Sequence, residues 1–440
     1  MKERILILGS GAREHAIAVA LARSPQQPEL LCFSGARNPG IVELCVAYGI
    51  GNITDPLAVV TFAAEHTPTL AVIGPEAPLA AGVADALWAA GVPVVGPTKD
   101  LARLESSKSF TRELLAKYNI PGNPFFQRFT SMDGVESVLA RFPNRHVIKD
   151  DGLAGGKGVK VCGDHLRSLE DSLAFCRELV EQGRSFVIEE KLEGEEFSFL
   201  CFCDGHTLSG MPLVQDHKRA YSGDEGPNTG GMGSYTDTDH TLPFLTADDL
   251  QVARNTTNLV AAALEKECGH PYQGILYGGF MATCDGVRLI EYNARFGDPE
   301  CLNLLTLLET DFVAICRAIV DRTLADLAVT FASQASVCKY IVPEGYPDVS
   351  LKGDTVQLPS LLPEGVRLFL SAVDIQDGSL IATGSRTVAV VATAATITEA
   401  EKLCECVAAQ IPGRFFHRAD IGTAALIDRR VEHMKALRSA

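Results

Sequence analysis

Hydrophobic residues in the first hundred positions alternate between short apolar runs and stretches with helical spacing. The apolar runs predict strands, and the amphipathic stretches between them predict helices. Each run is followed by Gly or a Gly-Pro turn, which is typical of an open parallel α/β sheet. The predicted strands are residues 5–8, 30–33, 70–73 and 92–95, and the predicted helices are residues 14–23, 57–65 and 79–90.

Beyond residue 99 the pattern changes. One long helix is predicted over residues 99–118, and Pro121 marks a boundary after it. Residues 216–235 are polar and carry five glycines, which predicts a mobile active-site loop that is too loose to pack. A further α/β unit begins near residue 335. The other predicted strands are 147–149, 159–161, 186–190, 197–203, 275–283, 287–292 and 387–392, and the other helical regions are 247–267 and 301–324.

The composition narrows the class of protein. A chain of 440 residues exceeds one ordinary core, and 46% hydrophobic with 21% charged residues is typical of soluble globular domains. The formal net charge of −16 argues against non-specific nucleic-acid binding but allows small anionic substrates. Thirteen cysteines without zinc-type spacing indicate reduced thiols. With no signal peptide and no membrane-length apolar run, we expect a cytoplasmic protein.

The turn after the first strand indicates an anion site. Gly9 and Gly11 allow backbone N–H groups to approach an anion at a helix start, and Arg13 adds a cation. The dinucleotide fingerprint requires a third glycine where Glu14 stands, and an acidic residue at the end of the second strand, where none stands. A phosphate or phospho-sugar is therefore favoured over NAD. An ordinary tight turn is the alternative interpretation.

A second glycine-rich segment lies between two predicted strands. Gly155, Gly156 and Gly158 free a loop to lie on a polyphosphate, while Lys149 and Lys157 can supply charge to its oxygens. This is not a Walker A loop, because neither Ser nor Thr follows the lysine. The alternative is a hairpin with a flexible glycine tip.

Two strand ends complete the candidate nucleotide site. The strand at 186–190 runs into a linker whose main chain could meet an adenine edge, although most of its carboxylates are expected to be solvated. Glu291 and Asn293 share one face of a strand and offer hard oxygen ligands for Mg²⁺. Arg295 joins that face if the strand continues, where it could neutralise a phosphoryl group. The alternative interpretation is a strand end on which polar residues alternate by chance, without a metal site.

Together these segments resemble the ATP-grasp superfamily and, within it, the phosphoribosylamine–glycine ligase family, over essentially the whole chain. The runs that carry the resemblance are GSGAREHA at 9–16, GPEAPL at 74–79, GPTK at 96–99, SK at 107–108, KDDGLAGGKGV at 149–159, EEKLEGEEFS at 189–198, QDHKRAYSGDEGPNTGGMGSY at 215–235, IEYNARFGDPE at 290–300 and HRADIG at 417–422.

The resemblance implies a multidomain chain of class α/β and α+β. The expected segments are an N-terminal open parallel α/β domain (1–103), a linker helix (104–122), the lid (123–193) and central domain (194–330) of an ATP-grasp core, and a C-terminal α/β domain (331–440). The implied reaction joins glycine to 5-phospho-D-ribosylamine through glycyl phosphate, and yields glycinamide ribonucleotide, ADP and phosphate. An ATP-grasp ligase for another acid or amine, a nucleotide-binding oxidoreductase and a non-catalytic nucleotide sensor are the alternatives.

The resemblance also implies roles for single residues. It assigns the ATP phosphates to Lys108, Lys149, Gly155, Gly156 and Lys157; the adenine hinge to Glu189, Glu190 and Leu192; the ribose to Glu196; and the metal, Mg²⁺ or Mn²⁺, to Glu291 and Asn293. It assigns the substrates to Gly9, Gly11, Arg13, Glu76, Asp216, Lys218, Asn228, Arg295 and Asp298, with Lys218 and Arg295 also catalytic. Small molecules are the only partners expected, for a monomer or a dimer.

Some positions depart from the family pattern. The loop at residues 34–40 replaces the commoner PGNAG-type loop, and Asp150 stands where Ala is usual. Gly279 provides no side chain for a second metal on its strand. We therefore expect one firmly held metal ion, with a second left open.

Overall fold

The computed structural model describes residues 2–153 and 158–439. Its N-terminal part is a parallel sheet with the strand order β3-β2-β1-β4-β5. The central strands are apolar on both faces because helices cover both sides of the sheet. The elements are β1 Arg4–Leu8, α1 Ala12–Ala22, β2 Glu29–Ser34, α2 Pro39–Val42, β3 Cys45–Ile50, α3 Pro56–His66, β4 Leu70–Ile73, α4 Glu76–Ala81, α5 Val83–Ala89 and β5 Val94–Val95.

The sequence pattern missed β3 and α2 and merged two helices. Strand β3 lies at the sheet edge and exposes Val46 and Ile50, so its apolar residues show no clear buried face. The predicted helix 79–90 is divided at Gly82, which has φ +87° and caps both α4 and α5. Helical periodicity alone did not locate this break.

Two short helices lead into a second sheet. They are α6 Arg103–Ser106 and α7 Lys108–Lys117, so the single helix predicted over 99–118 is wrong. Ser107 is extended between them, and its side chain accepts a hydrogen bond from the Phe110 amide at 3.2 Å. The second sheet is antiparallel with the order β6-β9-β7-β8. Its elements are β6 Phe126–Phe129, α8 Val135–Arg141, β7 His146–Asp150, β8 Val159–Val161, α9 Leu169–Glu181 and β9 Phe186–Glu190.

A third sheet, with the order β11-β10-β16-β17, forms the centre of the molecule. Its strands are antiparallel, and the long helix α10 packs against β16 and β17. The elements of this region are β10 Glu195–Cys203, β11 Leu208–Gly210, β12 Gln215–Asp216, β13 Arg219–Tyr221, β14 Glu225–Asn228, β15 Gly233–Thr236, α10 Ala247–Cys268, β16 Gly274–Thr283 and β17 Gly286–Asn293.

The C-terminal part is a mixed unit built on antiparallel strands. It shares a sheet with the central region, in the order β12-β15-β18-β22-β19, and β23 pairs with β18. The helical region predicted over 301–324 is two helices, because Asp311 caps the second one. The elements are α11 Glu300–Leu307, α12 Phe312–Asp321, β18 Ala335–Pro343, β19 Val366–Leu370, β20 Val373–Gln376, β21 Ser379–Ala382, β22 Val388–Ala394, α13 Ile397–Ala408, β23 Phe415–Phe416 and α14 Ala424–Ser439.

Residues 216–235 are folded, so the prediction of a segment too loose to pack is wrong. Strands β13 and β14 form a hairpin, and Gly226 takes a left-handed conformation with φ +81°. The Asp224 carboxylate near its tip accepts hydrogen bonds from Arg418 at 2.9 Å, from Arg429 at 2.8 Å and from Arg430. The glycines therefore serve tight turns, and distant arginines near the C-terminus hold the hairpin in place.

The observed architecture confirms the predicted fold class, with a parallel N-terminal sheet followed by antiparallel sheets. In the described part of the chain, no helix combines the length and the apolar character that a membrane crossing requires. The division into five segments at residues 103, 122, 193 and 330 stays a prediction.

A buried histidine in the hairpin region makes stability depend on pH. His217 is 2% exposed, and neither ring nitrogen has a hydrogen-bond partner among the described residues. Burial, together with the nearby Arg418 charge, lowers its pKa to about 3. The unfolded chain therefore takes up a proton near pH 6.5 that the folded chain refuses, so stability falls as the pH drops below that value.

We predict that acidification from pH 7.5 to 5.5 costs the wild-type chain about 1 kcal/mol more free energy of unfolding than it costs a His217→Leu variant. Urea unfolding at both pH values measures this difference. His206→Leu, at an exposed position, is the matched control and should lose stability as the wild type does. Equal losses in the wild type and His217→Leu would contradict the assignment.

Candidate active site

The candidate metal ligands lie at the end of β17. Glu291 faces Gly279 of β16, and Asn293 faces Tyr277 two positions further along the register. Residues two apart on a strand point to the same face. The register shifts between Gly279 and Phe280, which leaves Ile290 as an extra residue in β17. Such a bulge redirects the side chain that follows it, here that of Glu291.

Glu291 is surrounded by positive charge. Burial alone would raise the pKa of its carboxyl group, but the charges of Lys218, Lys149, Lys108 and Arg295 outweigh burial and lower it. Among the described residues, no hydrogen bond engages its oxygens. An ionised carboxylate without a hydrogen-bond partner is available as a ligand.

The donor set fits a hard divalent cation. A carboxylate and an amide oxygen on one face are ligands that Mg²⁺ accepts together with phosphate oxygens. Asn293 Oδ1 already accepts a hydrogen bond from Arg295 Nη2 at 3.2 Å, which orients its amide group. Within the described residues, no cluster of three or more His, Cys, Asp and Glu side chains forms a metal cage. The remaining ligands would therefore come from bound phosphate and water.

The predicted phosphate-binding lysines converge on this carboxylate from other elements. Lys149 lies on β7, and its Nζ is 2.8 Å from Glu189 Oε2 and 2.9 Å from the Ile290 carbonyl oxygen. Lys108 begins α7 and donates to the Gly152 carbonyl at 2.8 Å. The predicted residues Gly155, Gly156 and Lys157 lie outside the described residues.

The predicted adenine hinge is only partly free to act. The Glu189 side chain is 4% exposed and paired with Lys149, and its main chain lies between β6 and β7, so the Glu189 carboxylate is not available to a base. The Glu190 carboxylate accepts a hydrogen bond from the Phe125 amide at 2.7 Å. Leu192 is half-buried between β9 and β10, and its amide N–H makes no hydrogen bond within the described part of the chain. This leaves the Leu192 amide free for a planar ligand.

Lys218 links the hairpin region to the central sheet. Its Nζ is 2.9 Å from Glu196 Oε2 on β10, the residue predicted to hold a ribose. Burial would lower the pKa of Lys218, but Glu196, Glu291 and Asp216 outweigh burial and raise it, so the ammonium charge is retained. Asn228 lies across the same hairpin, opposite Arg219.

Asp216 is a second acidic group of the site with an oxygen that has no hydrogen-bond partner among the described residues. Burial and the neighbouring charge of Glu300 raise its pKa well above the usual range, and its Oδ1 has no hydrogen-bond partner among the described residues. Asp298, by contrast, is fully engaged: Arg386 Nη2 donates to its Oδ2 at 3.0 Å, and the Tyr340 hydroxyl donates to its Oδ1 at 2.5 Å. Asp298 therefore links the site to Tyr340 and Arg386 of the C-terminal part.

The space at the glycine turn after β1 is filled by the Glu14 side chain. The Gly11 amide donates to Glu14 Oε2 at 2.6 Å, and the Gly9 amide donates to the Phe33 carbonyl at 3.1 Å. A Cβ atom on Gly74 would lie 2.1 Å from Glu14 Oε1, so the Glu14 carboxylate fills the space between these turns. Arg13 Nε in turn contacts Glu14 Oε1 at 2.6 Å. These two amides are therefore not free to bind an anion as predicted.

Arg295 faces the N-terminal unit. Strand β17 ends at Asn293, so the condition under which Arg295 would continue its ligand face is not met. The guanidinium lies 2.7 Å from Glu105 Oε1 and 3.4 Å from Glu76 Oε2. Burial would raise the pKa of Glu76, but Arg295 and Arg13 outweigh burial and lower it. Arg295 thus links the candidate substrate residue Glu76 to the residues that follow β17.

Several residues of this site were missed by sequence reasoning. They carry no local pattern, because their roles arise from contacts across 40 or more positions in the chain. Glu105 is one of several polar residues within the helix predicted over 99–118, and Arg386 lies in the irregular segment between β21 and β22. The residues missed are Glu105, Arg112, Glu300, Tyr340 and Arg386.

Known proteins match this chain over nearly its whole length. Family models of phosphoribosylglycinamide synthetase match in succession: the N domain over residues 3–105, the ATP-grasp (A) domain over 106–301 and the C domain over 336–424. Phosphoribosylamine–glycine ligases from Methanocella arvoryzae and Methanosarcina barkeri are 47% and 46% identical to this chain, over 99% of it and 100% of each relative.

Solved structures agree. The phosphoribosylamine–glycine ligase of Thermotoga maritima has a TM-score of 0.80 at 28% identity and covers 95% of this chain and 99% of its own. An ADP complex of N5-carboxyaminoimidazole ribonucleotide synthetase shares the fold, with a TM-score of 0.66 at 15% identity over 92% of this chain and 96% of its own. The chain therefore belongs to the phosphoribosylamine–glycine ligase family of ATP-grasp ligases.

Proposed function

We propose that this chain joins glycine to 5-phospho-D-ribosylamine at the expense of ATP, and releases glycinamide ribonucleotide, ADP and phosphate. Beside the family match, the observation that supports this reaction is the ionised Glu291 carboxylate, which lies next to Asn293 and among four cationic side chains. This arrangement suits a metal-bound triphosphate, and it is what a carboxylate-activating ligase requires.

The chemistry needs activation of a carboxylate, because its oxygen is a poor leaving group. The glycine carboxylate attacks the γ-phosphoryl group and forms glycyl phosphate; the amine of phosphoribosylamine then attacks its carbonyl carbon and expels phosphate. Lys149, Lys108 and Arg295 stabilise the charge of the phosphoryl oxygens and orient them. When bound, Mg²⁺ (or Mn²⁺) would be held by Glu291 and Asn293 and would supply further positive charge to the phosphates.

The substrate groups have matching partners nearby. The unpartnered Oδ1 of Asp216 suits an N–H group of an amine substrate, and Lys218 can contact a carboxylate or phosphoryl oxygen. Arg13 lies buried at the carboxyl edge of the N-terminal sheet, where open α/β sheets bind their ligands. No Ser, Cys or His nucleophile is required for either step.

The alternative of a nucleotide-binding oxidoreductase is disfavoured by Glu14. Its carboxylate occupies the space between Gly9, Gly11 and Gly74 that a dinucleotide pyrophosphate would need, and it would repel such an anion. Only the dependence on particular substrates distinguishes this reaction from that of an ATP-grasp ligase for another acid or amine.

The same proposal includes a monomer in the cytoplasm, in which residues 123–193 act as the lid.

We predict that sustained ADP formation requires ATP, glycine and phosphoribosylamine together, because without the amine the acyl phosphate is not consumed and each site stops after a single turnover. A coupled assay with each substrate omitted in turn measures this dependence. Equal ADP formation with another amino acid in place of glycine would instead indicate a different ligase. ATP binding without turnover would indicate a nucleotide sensor.

We predict that Glu291→Gln lowers the rate of ADP formation by more than about 100-fold, because it removes the anionic oxygen ligand at the phosphates. The variant should still fold, but with a lower midpoint of thermal unfolding, because Glu291 makes no hydrogen bond to the described residues yet balances the charges of the neighbouring cations. Glu181→Gln, at an exposed position on α9, is the matched control. A folded Glu291→Gln enzyme with wild-type activity would exclude the metal role.

A further inference from the structure

Lys149 is paired in a way that should weaken it as a phosphate ligand. Its ammonium group lies 2.8 Å from Glu189 Oε2, and both side chains are less than 10% exposed. A buried lysine beside a buried carboxylate forms a neutral pair, and a neutral pair gives little attraction to a polyphosphate. Another cation must balance Glu189 if Lys149 is to offer a net charge.

Arg112 supplies that cation. It lies on α7, is 2% exposed and binds Glu189 with both arms of its guanidinium: Nε to Oε1 at 2.7 Å and Nη2 to Oε2 at 2.8 Å. Two cations thus share one carboxylate, so the group of Arg112, Lys149 and Glu189 carries a net charge of about +1. Arg112 therefore leaves the charge of Lys149 uncancelled.

The same guanidinium also holds the strand that bears the metal ligands. Arg112 Nη1 donates to the Leu289 carbonyl at 3.1 Å, and Nη2 donates to the Ile290 carbonyl at 2.6 Å. Lys149 Nζ donates to that Ile290 carbonyl at 2.9 Å. Ile290 is the bulged residue of β17, directly before Glu291. The carbonyls at the bulge are therefore fixed by side chains from α7 and β7.

We propose that Arg112 is a positioning residue of the nucleotide site: it balances Glu189, so that the group of Arg112, Lys149 and Glu189 presents a net positive charge to the triphosphate, and it fixes the bulge that orients the Glu291 carboxylate as a metal ligand. The inference rests on the proposed function, because it takes Lys149 as a phosphate ligand and Glu291 as a metal ligand. The two roles are chemically distinct. The first needs only a positive charge, and the second needs the planar fork of arginine.

Two measurements on the full chain separate these roles: the affinity for ADP without metal reports on Lys149, and the gain in affinity on adding Mg²⁺ reports on Glu291. Arg112→Met should weaken ADP binding without metal by about 10-fold or more and should also reduce the Mg²⁺-dependent gain. Arg112→Lys should keep metal-free affinity within about threefold of wild type but lose the gain, since an ammonium group cannot span both carbonyls and the carboxylate.

The double variant Arg112→Met with Glu189→Gln removes the carboxylate that would otherwise be left unbalanced. Its metal-free ADP affinity should lie within about threefold of wild type, while the Mg²⁺-dependent gain stays reduced. The double variant leaves no buried carboxylate without its arginine, so it and Arg112→Lys decide the question even if Arg112→Met does not fold. Arg177→Met, at an exposed position on α9, is the matched control and should bind as wild type does.

Wild-type affinity and Mg²⁺ gain in Arg112→Met would overturn the proposal. Parallel losses of metal-free affinity and of Mg²⁺ gain in Arg112→Lys and in the double variant would also overturn it, because a purely structural arginine predicts that pattern. Failure of the proposed function looks different. In that case the wild-type chain itself would bind no ADP, or would form none from ATP in the presence of glycine and phosphoribosylamine.

Discussion

The Glu291 carboxylate stays ionised in a half-buried position because four cationic side chains surround it. These cations come from four places in the chain: the start of α7, strand β7, the connection between β12 and β13, and the residues after β17. No single unit supplies the charge balance. Burial penalises the charges of Glu291, Lys149, Lys218 and Arg295, so each of these depends on the others being in place. This mutual dependence makes the site a property of the assembled chain.

The contacts that assemble the chain are themselves charged and buried. Arg295, which follows β17, forms ion pairs with Glu76 and Glu105 on the N-terminal side. Arg386 links Asp298 to the C-terminal sheet. The arginines of the HRADIG run and of α14 hold the hairpin beside Lys218 through Asp224. Removing one partner of such a pair leaves a charge unbalanced, so each of these bridges favours one relative position of the two elements that it joins.

The features that could be predicted from the sequence are those that depend on local spacing of residues. The two-residue spacing of Glu291 and Asn293, the apolar strands of the N-terminal sheet and the long helix α10 all follow from periodicity. Contacts between distant segments were not readable. Arg112 looks like a surface position of a helix until Glu189 is placed against it, 77 positions away. The hairpin at 219–228 was misjudged because glycine content suggested looseness, whereas its order comes from arginines near the C-terminus. Strand β17 ends at Asn293, one residue beyond its predicted end, so it does not reach Arg295, whose position is set instead by Glu76 and Glu105.

The most direct test is the structure of the chain with Mg²⁺ and a non-hydrolysable ATP analogue. The account predicts that Glu291 and Asn293 share a metal ion with the phosphate oxygens, and that the Lys149 ammonium lies within hydrogen-bonding distance of the same phosphates. A nucleotide bound with its phosphates far from the Glu291–Asn293 pair would contradict the account.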